Sequence, residues 1–111
     1  MRPSTALSLA ALLSCGRSQV PITVQNGSGH DLRQVILAGS GFADTLAQMA
    51  AGQSVTVHVQ PRGESGLALS FMVEGRSIAH PARGYFEGAG GYAVNATIDS
   101  AFEVDVRSAL R

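Results

Sequence analysis

Lysine is missing from this chain: all eight basic residues are arginine, and eight acidic residues balance them. No Gly-Lys-Ser/Thr can therefore occur, which removes a phosphate loop of that type. Charged residues are only 14 % of the chain and form no runs. The surface thus lacks the basic footprint that nucleic acid selects, and no nucleic-acid partner is expected. Cysteine occurs once, at Cys15, so no internal disulfide can form. A membrane-spanning helix is excluded as well. The most apolar stretch, residues 6–13, would rise roughly 12 Å as a helix, against about 30 Å of hydrocarbon.

What is present is a chain of 111 residues, 45 % of them hydrophobic. That is enough for one domain with a single core and argues against disorder. The opening MRPSTALSLAALLSC has three parts. Arg2 supplies a positive start, residues 6–13 an apolar centre with neither period 2 nor a polar face, and Ser14 a small residue at a cleavage point. This is the plan of a secretory signal peptide.

The tetrapeptide Leu12-Leu13-Ser14-Cys15 resembles the lipobox of bacterial lipoproteins: an aliphatic residue, a tolerant position, a small residue, then cysteine. The resemblance covers the first 15 residues. It implies that the Cys15 thiol receives a diacylglyceryl group, that the chain is cut after Ser14, and that the new amino terminus is acylated. A thiolate is the side-chain nucleophile suited to that alkylation, and several acyl chains anchor durably where one is marginal. Gly16 stands where lipoproteins held at the inner membrane commonly carry Asp. The resemblance therefore implies an outer-membrane anchor facing the periplasm.

From Val20 onward the pattern is strands and turns. Ile22 and Val24 alternate with Thr23 and Gln25 before an Asn26-Gly27 turn. Residues 32–38 form a second run whose blurred phase suits a bulge. Residues 43–50 are ambiguous, with alanines that suit a helix and neighbours that suit a strand. Val55, Val57 and Val59 face one way; Leu67, Leu69, Phe71 and Val73 make the clearest period-2 stripe. A short strand, residues 76–79, follows Glu74-Gly75. After a glycine-rich loop come Tyr92, Val94, Ala96 and Ile98, then Phe102, Val104 and Val106. Seven or eight strands at this spacing predict an all-β fold, an antiparallel β-sandwich of the immunoglobulin-like kind. The organisation expected is a signal peptide over 1–14, a lipidated tether over 15–19, and the sandwich over 20–111.

Few constellations carry chemistry. Gly88-Ala89-Gly90-Gly91-Tyr92-Ala93 fits G-x-G-x-x-A, but that fingerprint must follow a strand and open a helix, and here a strand follows. His30, His58 and His80 lie on separate elements, so no metal is expected. No nucleophile elbow is present; neither catalytic residues nor a cofactor are expected. The loop HPARGYFEGAGGY, residues 80–92, gathers Arg83, Tyr85, Phe86, Glu87 and Tyr92 among four glycines. Such rings can form a recognition surface at small entropic cost, or else close one end of the sandwich.

These features point to a membrane-anchored envelope lipoprotein with a non-catalytic binding or scaffolding module. Its partners would be the membrane through the lipid and an envelope protein or the cell wall. An alternative is a periplasmic inhibitor of a hydrolase. Small lipoproteins that block lysozyme carry Ser-Gly, two residues, then Tyr, and this chain is similar only as far as Ser65-Gly66-Leu67-Ala68, with Leu69 in place of the tyrosine.

Overall fold

Alternation of apolar and polar residues sets the strands, and each pays its polar backbone into a neighbour. The computed structural model describes residues 19–111. The signal peptide expected over 1–14, the expected cleavage residues Leu12, Leu13 and Ser14, and the expected lipidation site Cys15 lie outside the described residues. Eight strands follow in order: β1 (Val20–Asn26), β2 (Leu32–Gly39), β3 (Phe42–Met49), β4 (Ser54–Val59), β5 (Glu64–Val73), β6 (Arg76–Glu87), β7 (Tyr92–Ile98) and β8 (Val104–Leu110). A 3-10 turn, Gly88–Gly90, joins β6 to β7.

They form two four-stranded sheets, ordered β4-β1-β7-β8 and β3-β2-β5-β6. The fold is a β-sandwich of eight strands. Its architecture is immunoglobulin-like, but its strand order differs from that of an immunoglobulin constant domain: β1 and β2 lie in opposite sheets, whereas the first two strands of a constant domain share one. All pairings are antiparallel except β1 with β7, which run parallel with Ile22 opposite Val94 and Val24 opposite Ala96.

In β1, β5 and β7 the core takes the inward phases expected from the alternation, and β2, whose phase is blurred in the sequence, adds to it. Val20, Ile22 and Val24 of β1 and Val94, Ala96 and Ile98 of β7 meet Val35 and Leu37 of β2 and Leu67, Leu69, Phe71 and Val73 of β5, all buried. Each fully buried aliphatic or aromatic side chain contributes about 1.5–3 kcal/mol, which makes this stripe the main source of stability. In β2 the blurred phase is a bulge. Gln34 takes a left-handed φ of 51°, the register shifts between Arg33 and Ile36, and the extra residue lets both Leu32 and Val35 face inward.

Residues 43–50 resolve as a strand. Pairing with β2, Val35 opposite Leu46 and Leu37 opposite Asp44, overrides the helix propensity of the alanines. The short strand expected over 76–79 continues instead to Glu87. Two register shifts against β5, on either side of Leu67, absorb Pro81 and Gly84 as extra residues. Proline is tolerated because β6 is an edge strand. Most of the expected glycine-rich loop is therefore paired backbone. Among the described residues no helix is long and apolar enough to cross a membrane.

Candidate functional site

Bulges in β6 decide which of the five candidate side chains reach solvent. Phe86 lies opposite Ser65, points inward, is fully buried and packs against Phe42 with ring centroids 6.2 Å apart. As core, it cannot present a contact surface, and this corrects its place among the exposed candidates. Arg83 remains exposed, but its guanidinium is engaged, donating to the Val104 carbonyl at 2.7 Å. Ser108 Oγ donates to the Tyr85 carbonyl at 2.6 Å. These bonds join the edge strands β6 and β8 and close one side of the sandwich. Gly84 makes the approach possible, since a Cβ there would sit 2.9 Å from Val106 Cγ1.

Tyr85, Glu87 and Tyr92 remain, and the fold brings them together. Tyr85 is 42 % exposed, donates from its hydroxyl to Glu87 Oε2 at 2.9 Å, and meets Tyr92 edge-on at 5.9 Å. The Tyr85 phenol is pushed up to about 12, first by its bond to the Glu87 carboxylate, then by desolvation and by the charges of Glu64 and Glu87. It is therefore a neutral donor at any physiological pH. Glu64 stands directly across from Glu87.

A fourth residue belongs to this patch. Tyr92 pairs with Leu110, and both continue the inward phase of β7 and β8 past the end of the core. Leu110 is consequently 68 % exposed. The period-2 stripe of Phe102, Val104 and Val106, extended by two steps to Ser108 and Leu110, is the sequence signal for it. Arg111 ties the patch to the start of the domain. Its N–H donates to the Gly91 carbonyl at 2.8 Å, and its guanidinium donates to the Gln19 carbonyl at 3.3 Å. The aromatic patch and the entry point of the chain thus share one end of the sandwich.

The opposite end holds a different cluster. Asn26, read in the sequence as a turn residue, is fully buried. Its Nδ2 donates to the carbonyls of His30, Met49 and Ala50 at 2.8–3.2 Å, and its Oδ1 accepts from Ser28 N and Oγ. Phe102 was expected in the last strand. It lies instead in the turn before β8 with φ of 62°, a conformation costly for a bulky side chain. Its ring is held by Phe71 at 6.3 Å, by His30 at 5.5 Å, and by the Arg76 guanidinium 5.8 Å from its centre. His80 Nε2–H donates to the Phe102 carbonyl at 2.8 Å. No sequence signal marks either residue for these roles.

The other motifs fall as follows. Gly88–Gly90 is a turn leading into β7 rather than into a helix, so the dinucleotide fingerprint lacks its context. His30 and His80 converge on Phe102, while His58 lies on β4 opposite Pro21. Among the described residues no three metal-ligating groups cluster. Ser65 and Gly66 sit within β5, with Ser65 buried and its Oγ accepting from Ser40 N and donating to the Gly66 carbonyl. An open depression of about 410 Å³ is lined by Asp31, Arg33, Gln34, Met72, Val73, Glu74 and Gly75, without a serine, cysteine or histidine.

No protein-family model matches the sequence, and no curated protein matches it either. Among solved structures, the chain is similar to an NMR structure of a protein from Eubacterium rectale. The TM-score is 0.59 at 14 % identity, over 86 % of this chain and 93 % of that one. What the two share is the fold.

Proposed function

We propose that the chain is a lipid-anchored protein of a bacterial envelope, cut after Ser14 and acylated on Cys15, whose β-sandwich is a non-catalytic binding or scaffolding module. The observation that carries this reading is the lipobox-like Leu12-Leu13-Ser14-Cys15 set five residues before β1 begins at Val20. An anchor there leaves only a short tether before folded backbone. Gly16 favours the outer membrane, with the domain in the periplasm. The patch of exposed Tyr85 with half-buried Glu87 and Tyr92 is the contact surface of the module. Its rings are amphipathic and already positioned by β6 and β7, so binding through them immobilises little additional freedom.

Fractionation of cells producing the wild type and Cys15→Ser tests the reading. The wild type should sediment with membranes and resist high salt, while Cys15→Ser is recovered in the soluble fraction. Equal distribution of the two chains would remove Cys15 as the anchor, and the envelope assignment with it.

A further inference from the structure

The anchored reading leaves open what the tyrosine patch touches, and the length of the tether narrows the choice. Four residue steps separate Cys15 from Gln19. Fully extended chain covers at most about 3.3–3.6 Å per residue, so Gln19 lies within roughly 14 Å of the acylated cysteine. The headgroup layer of one leaflet is itself about 5–8 Å deep, from the difference between total and hydrocarbon thickness. Gln19 is in contact with Arg111, next in the chain to Leu110. The end of the sandwich that carries Tyr85, Tyr92 and Leu110 is therefore the end held at the lipid surface.

The chemistry of that end fits the membrane interface. Tyr85, Leu110 and Met72 are the exposed large hydrophobic residues of the described chain, and two of the three belong to this patch. Tyrosines concentrate at bilayer interfaces, where one part of the ring is apolar and the hydroxyl remains wet. Leu110 continues the inward phase of β8 opposite Tyr92 yet is 68 % exposed, so a lipid surface can bury it. Arg62, in the loop after β4, and Arg111 at this end are offset by Glu64 and Glu87. The attraction cannot then be the electrostatic kind that polybasic segments show.

We propose, on the basis of the Cys15 anchor, that Tyr85, Tyr92 and Leu110 form a membrane-docking surface which seats the sandwich on the headgroup region of its own anchoring bilayer. The domain then stands with the Asn26 and Phe102 end directed away from the lipid.

The chain offers a built-in reporter. It has two tyrosines and no tryptophan, so tyrosine emission reads this patch alone. The full acylated chain, with acylation verified by intact mass, is reconstituted into phosphatidylethanolamine–phosphatidylglycerol vesicles with and without nitroxide-headgroup lipid. Wild-type emission should lose most of its intensity in the nitroxide vesicles, at low and at high salt alike. Leu110→Glu, at an exposed position that tolerates the change, should recover that emission while remaining acylated and folded by circular dichroism. Acylated wild type with unquenched tyrosines would overturn the docking surface, leave the anchor intact, and free the patch for a protein partner. A chain that is never acylated would overturn the anchor, and the docking surface with it.

Discussion

Phe102 offers a prediction whose sign is opposite to the usual expectation. Its φ of 62° places an L side chain in the left-handed region, at a cost of about 1–2 kcal/mol that glycine does not bear. The turn is otherwise well made: Phe102 N–H donates to the Asp99 carbonyl at 2.9 Å, and Asp99 Oδ1 accepts from the N–H groups of Ala101 and Glu103. The ring offsets the strain. Half-buried, it contributes about 1–1.5 kcal/mol by area, and its contacts with Phe71, His30 and Arg76 add about 0.5–1 kcal/mol. Phe102→Ala loses the ring and keeps the strain, so it should cost about 2 kcal/mol. Phe102→Gly loses the same ring and relieves the strain, so it should cost about 1 kcal/mol less than alanine, or about 4–8 °C in Tm for a domain of this size. Urea unfolding followed by circular dichroism, with m-values checked for equality, measures the difference. If Phe102→Ala proved as stable as Phe102→Gly, or more so, the left-handed strain at this position would be refuted.

Other outcomes follow from single side chains. Asn26→Ala leaves the carbonyls of His30, Met49 and Ala50 without their side-chain donor, and should cost about 3 kcal/mol in chemical denaturation. Phe86→Ala should cost about 3–5 kcal/mol as a core truncation, whereas Tyr85→Ala should stay within about 1 kcal/mol; thermal melts of the two variants separate core from surface in one experiment. The Tyr85 phenol, raised to about 12 by Glu87, favours the protonated form in the folded state. Its contribution is complete below the ordinary tyrosine pKa of about 10, and is lost as pH rises through about 12. Ultraviolet titration should show one tyrosine ionising late, and Glu87→Gln should bring it back toward the ordinary value.

The sandwich was legible because two stripes alternate without interruption on inward faces: Val55–Val57–Val59, half-buried until Val59, and the fully buried Leu67–Leu69–Phe71–Val73. The parallel partnership of β1 and β7 was not, because the two strands are far apart in sequence and no local pattern encodes their pairing. Bulges hid the rest. Pro81 and Gly84 read as a loop, yet as extra residues on an edge strand they shift the phase of β6. Alternation then no longer tells which ring faces inward, so Phe86 and Tyr85 looked equivalent although one is core and the other surface. Tyr85, Glu87 and Tyr92 were visible as a cluster because they are close in sequence. Leu110 joined them only through its register with Tyr92. Phe102 hid in a position where turn chemistry predicts glycine, and Asn26 hid as a turn signal although its amide holds two loops together from within.

The central claim is that the chain is cut after Ser14 and carries its lipid on Cys15. An intact-mass spectrum of the protein extracted from membranes, beside the Cys15→Ser variant, tests it most directly. The account predicts a wild-type species that begins at Cys15 and carries diacylglyceryl and amide-linked acyl groups, all absent from the variant. A wild-type mass equal to an unmodified chain still carrying residues 1–14 would contradict it.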